Sequence, residues 1–179
     1  MTVKIKKENL PMEPWLITSL WQQFGAAIDM LDDAIRLCPD ELWTAVLWSD
    51  PDDEAYGQYW FVAYHTLFWL DLYLTGTKEG FKPPAPFKRG SLPENPYSKD
   101  QVKGYLDQCR RKCQATIEGL TDEKASRRCI FEWMEPSFLE LQFYSMRHVQ
   151  EHASQMNLLL GQHDVPGLDW VAQARAEAV

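Results

Sequence analysis

The chain has 179 residues, enough for one domain with a sizeable core and short for two, so 1–179 is read as a single domain. Its net charge of −8 and pI near 5.0 argue against a nucleic-acid binder, since the densest basic runs, KIKK near the start and RRK at 110–112, read as solvated ends or faces. Aromatic residues make up 13% of the chain, a load that can fill an interior and still wall a cavity.

Residues 1–12 form an N-terminal arm with charges but no apolar signal-peptide region. The longest apolar stretch, YWFVAYHTLFWLDLYL, carries His65 and Asp71 and stops at Thr75 and Gly76, so no membrane span is expected. Cys38, Cys109, Cys113 and Cys129 include no close CxxC pair. Cys109 and Cys113 fall on the stripe Val102, Leu106, Cys109, Cys113, Ile117, Leu120, where thiols act as small hydrophobes rather than metal ligands. The expected setting is cytoplasmic.

The first helix is expected from Glu13 to Leu37, with Leu16, Leu20, Phe24, Ala27, Leu31 and Ile35 at steps of three and four. Pro14 suits its first turn and Pro39 ends it. After the turn DELWTAVLW and the breaker SDPDD, a second helix is expected from Glu54 to Leu74. There Phe61, His65, Phe68 and Leu72 share a face that Trp60, Tyr64, Leu67 and Leu74 broaden, so the helix is largely buried. Thr75 to Tyr97 holds three glycines and five prolines; a connection this long is either functional or a crossover.

Ser98 and Gln101 make a capping box for a third helix that runs to about Leu120, and Thr121 caps the short turn TDEKASRR. The last long helix starts near Pro136 and ends at Gly161, a natural C-terminal cap. In the tail, 162–179, Trp170 is expected to pin the chain to the body and AQARAEAV has the composition of a frayed helix. No segment reads as a strand. The fold class is all-α: a four-helix bundle with a long crossover between helices 2 and 3, which frees those two from an antiparallel hairpin.

On the last helix the expected core seam is Leu141, Ser145, His148, His152, Gln155, Leu159. It is apolar at both ends and polar in the middle, where packing alone would place Leu or Ala, because an unpaired buried polar group costs about 1–3 kcal/mol. His148 and His152 lie one turn apart on one face, the separation at which two imidazoles reach one ion. His65, amid the apolar face of the second helix, is the candidate third ligand. Singly, each reads as a core histidine with a hydrogen-bonded partner; jointly, the pair and the lone histidine favour a metal. The run is HVQEH rather than HExxH, which argues against a zincin protease.

These motifs, AYHTLFWLDLYLTG around His65 and RHVQEHASQMNLLLG around His148 and His152, with the CPDELW turn and the long middle loop, resemble the DinB-like superfamily of damage-inducible and YfiT-type proteins. The resemblance implies a divalent metal, nickel, zinc, manganese or iron, held by His65, His148 and His152 with open positions for water or substrate. It also implies, as one branch, transferases and isomerases that use a low-molecular-weight thiol; no residue marks a particular thiol.

Such a centre lowers the pKa of a bound water or thiol. Ser145 and Gln155 stand where they can orient a ligand or hydrogen-bond the imidazoles, with polar filler as the alternative. Tyr64 and Tyr144, with Trp60 and Trp69, are candidates for a pocket wall, packing being the alternative. Asp71 and Glu151 are candidates for general bases or for acceptors behind the ligands, with solvated carboxylates as the commoner reading. Two functions follow: a metal-dependent enzyme, either a thiol S-transferase or a hydrolase acting on a small molecule, or a non-catalytic metal- or ligand-binding stress protein. An interaction module without metal is the weaker third. A homodimer is compatible with so aromatic a bundle.

Overall fold

The structure, a computed structural model, describes residues 12–176; the KIKK run and the last three residues lie outside it. Five helices are found and no strand among the described residues, only two isolated bridges. Helix α1 (Pro14–Leu37) starts with Pro14 and stops at Cys38, whose extended backbone leads into Pro39. Two 3-10 turns, Asp40–Leu42 and Glu54–Gly57, precede α2 (Tyr59–Thr75). The second helix is therefore shorter than expected: Asp53 caps a separate turn, and the chain re-enters at Gln58, which bridges to Val46. Gly76 ends α2 in the left-handed conformation that a residue without Cβ adopts freely.

Helix α3 (Lys99–Glu118) begins with the expected Ser98–Gln101 capping box, and Thr121 caps the short α4 (Asp122–Ser126). Helix α5 (Phe138–Gln162) has its own capping box, Ser137 with Glu140. Gly161 lies inside α5 rather than capping it. The helix ends in a Schellman turn: Asp164 takes positive φ, its N–H reaches the Gly161 carbonyl, and the Val165 N–H reaches that of Leu160.

α1 packs on α3 and α5, and α2 packs on the same two, so α1 and α2 are diagonal partners across the core. Cross-helix contacts give the directions. Asp32 late in α1 meets Lys103 early in α3, so those two run antiparallel. Tyr64 packs on Tyr97 just before α3, while Lys112 further along α3 reaches Asp71 and Thr75 late in α2. α2 and α3 are therefore parallel neighbours, which the long crossover permits and a hairpin forbids.

The cysteine stripe of α3 is fully buried, as expected of small hydrophobes. The RRK run is not a solvated face. Arg110 lies on the buried Asp29 (2.8 Å), and Lys112 is bonded to Asp71, which also accepts from Tyr105 (3.0 Å). Asp71 is thus a buried structural acceptor, not a solvated carboxylate; Glu151 is exposed.

The tail is pinned, but not by Trp170, which is 72% exposed. Val171 is buried instead, and the Ala174 N–H donates to Gln22 (2.9 Å). The Arg175 guanidinium donates to Asp33 (2.9 Å). No helix forms over the described part of AQARAEAV. No helix of the described residues is long and apolar enough to cross a membrane.

Candidate metal centre

Gln142 early in α5 donates to the Tyr73 carbonyl late in α2, so the two helices run antiparallel, and His65 midway along α2 meets His148 and His152 midway along α5. The Nε2 atom of His148 lies 3.3 Å from that of His65 and 3.1 Å from that of His152. One ligand atom from each ring falls within 4.8 Å of both others. Nitrogens sharing an ion at about 2.0–2.1 Å stand about 2.9 Å apart at right angles and about 3.4 Å apart in a tetrahedron. Both measured separations fall between those limits.

The protons do not account for this convergence. The Nδ1–H of His152 donates to the Gln155 side-chain oxygen (2.7 Å), which leaves a lone pair on Nε2 of His152. A neutral His148 carries one proton for two nitrogen contacts, and its own Nδ1 is buried without a partner. Burial pushes His148 down to about 3, helped by the charges of His152 and His65, and His65 down to about 4, helped by that of His152. His152 is lowered too, by burial against an opposing pull from Gln155. All three rings are therefore neutral at pH 7, the form that ligates metal.

The two α5 histidines do not sit on the fully buried seam of that helix. That seam is Ser145, Val149, Ala153, Met156 and Leu160, one residue round from the expected line, and His148, His152 and Gln155 border it half-buried. The shift opens the histidines toward one side of the bundle while α5 still packs by aliphatic residues.

Of the other candidates, Gln155 orients His152 as described. Ser145 is fully buried with its hydroxyl unpaired and bonds no imidazole. Tyr64 and Trp69 wall a cavity of about 330 Å³ beside His65, together with Phe61, Phe68 and the loop 88–91. Trp60 is core, and Tyr144 stands edge-on to Tyr73 (5.5 Å, 85°). His163 is exposed at the end of α5.

Sequence reasoning missed Trp48, whose ring lies nearly parallel to that of His152 (6.5 Å between centroids, 24° between planes). Its place depends on Gly57: a Cβ there would come within 1.8 Å of the Trp48 carbonyl oxygen, so only glycine admits the strand-like approach. A Gly two residues before a buried helix was the available signal.

A family model described as the DinB superfamily matches residues 23–156, a span that includes all three histidines. The chain belongs to the DinB superfamily. Neither a curated protein nor a solved structure matches it significantly. Membership agrees with the all-helical fold, and this DinB chain carries a histidine cluster able to hold a metal ion.

Proposed function

We propose that this DinB-superfamily chain holds one divalent transition metal, nickel, zinc, manganese or iron, through His65, His148 and His152. At that centre it acts on a small molecule as a low-molecular-weight-thiol S-transferase or a hydrolase. The observation that carries the reading is the meeting of three neutral imidazole nitrogens at which the single Nε2 of His148 cannot hydrogen-bond both neighbours. When bound, such an ion supplies the Lewis acidity that makes a thiol or water nucleophilic near neutral pH. The chain supplies the rest: Gln155 keeps the proton of His152 on Nδ1, burial keeps the rings neutral, and Trp48 shields His152 on one side. A cytoplasmic setting fits four cysteines that are all free and buried.

One observation favours the alternative, a non-catalytic binding protein: among the described residues no carboxylate or thiol lines the cavity beside His65. A thiol-transfer screen with several low-molecular-weight thiols, comparing metal-loaded wild type with His148→Ala, separates the two. Turnover that is lost in the variant supports the enzyme. Equal, negligible rates in both leave the binding protein.

A further inference from the structure

The crossover between α2 and α3 does more than return the chain. Phe87 is buried, stacked on Tyr64 (5.4 Å, 8°) and on Tyr105 (4.7 Å, 28°). The Tyr64 hydroxyl donates to the Lys88 carbonyl (2.6 Å), and the Lys88 N–H donates to the Tyr97 hydroxyl (3.3 Å). Two tyrosines thus hold the backbone at Lys88, and Gly90, at φ 76°, turns the chain through a conformation that disfavours side chains. The segment 88–91 is thereby fixed as one wall of the cavity beside His65, facing Phe61, Phe68 and Trp69. At about 330 Å³ the cavity is near the lower end of small-molecule sites, a size for one ring or a branched chain of similar bulk. Of the three histidines only His65 lines it.

The charge on its lip is of one sign. Lys88 and Arg89 are exposed, and among the described residues neither forms an ion pair. The buried carboxylates are matched by other cations: Asp29 by Arg110, Asp33 by Arg175, and Asp71 by Lys112. Glu132 is paired with Lys78, and Arg89 adds only a weaker pull on it. In a chain of net charge −8, two uncommitted cations on a pinned loop over an aromatic cavity select an anion, and the guanidinium fork of Arg89 matches a carboxylate.

We propose, building on the small-molecule reading of the histidine centre, that this cavity is its substrate-recognition subsite and takes a small carboxylic acid. The apolar body of the acid packs on Phe61, Phe68 and Trp69, and its carboxylate meets Lys88 and Arg89, which leaves the rest of the molecule facing His65.

Fluorine NMR titration tests this with 4-fluorophenylacetate and its neutral partner 4-fluorophenylacetamide, each added to zinc-loaded and to metal-free protein. The acid is expected to bind about tenfold tighter than the amide in both states. Lys88→Ala/Arg89→Ala is expected to lose about fivefold or more of the acid's affinity while its affinity for the amide and its zinc content stay the same. Both positions are exposed, so the fold is not at risk. Equal binding of acid and amide, no saturable binding of either, or an acid preference that survives in the double variant overturns the proposal. The last result, seen only with zinc, would put the carboxylate on the metal. Zinc uptake is read separately: uptake without acid preference sinks this subsite alone, and acid preference through Lys88 and Arg89 without uptake sinks the metal reading alone.

Discussion

At the α1–α3 seam, Asp29 and Asp33 are buried and fully partnered: Arg110 and the Arg175 N–H serve Asp29, while Arg36 and the Arg175 side chain serve Asp33. Burial opposes ionisation of Asp33, yet its hydrogen bonds from Arg175 and Arg36 outweigh it and hold the carboxyl below its usual range. Asp71, between α2 and α3, is likewise closed by Lys112 and Tyr105. At the α2–α5 seam, by contrast, three imidazoles face one another with a shortage of protons, and His148 Nδ1 and Ser145 Oγ lack partners. Buried polar groups are ordinarily satisfied within the chain. The carboxylate clusters close on themselves; the histidine cluster converges and stays open, and the proposed metal would complete it.

Acid should separate the two regions most. In metal-free protein His65 and His148 titrate near 4 and 3, against an ordinary 6.5. Below 6.5 the unfolded chain therefore takes up protons that the folded one refuses. Stability is complete above that pH and falls as pH drops toward 4 and then 3, by about 3 kcal/mol for each of the two histidines by pH 4. Urea denaturation from pH 7.5 to 4 checks this, and His65→Phe/His148→Leu should flatten the dependence.

Next comes Asp71→Ala, which strands the Lys112 ammonium and the Tyr105 hydroxyl. It should cost about 2 kcal/mol, less than a fully buried pair because Lys112 is partly exposed, and leave metal affinity unchanged. The same denaturation assay with a metal titration tests both halves; a loss of metal binding would mean that the two regions are coupled. The smallest effect is that of Gln155→Leu, which frees the His152 ring and should weaken metal binding about tenfold with little change in fold stability.

Much of this contrast was legible in the sequence. Ser98–Gln101, Pro14 and Thr121 act locally, so the helix starts could be read from neighbouring residues alone. The three histidines stood out because each replaced an aliphatic residue on an apolar face. What escaped notice depends on distant partners. α2 is apolar all round, so its periodicity cannot say which side meets α5. The true seam of α5 runs through Val149 and Ala153, small residues that carry less pattern than the polar line beside them. Arg110 and Lys112 look like any charged run until Asp29 and Asp71 arrive from other helices. Trp170 was a larger apolar anchor than Val171, yet the tail is held by backbone and Arg175 contacts that size does not reveal.

The central claim is that the open cluster holds a metal, and metal analysis of untagged protein after reconstitution tests it most directly. Wild type is expected to hold about one equivalent of divalent transition metal per chain, and His148→Ala less than about a tenth. Less than a tenth in wild type, or an equal content in both proteins, would contradict it.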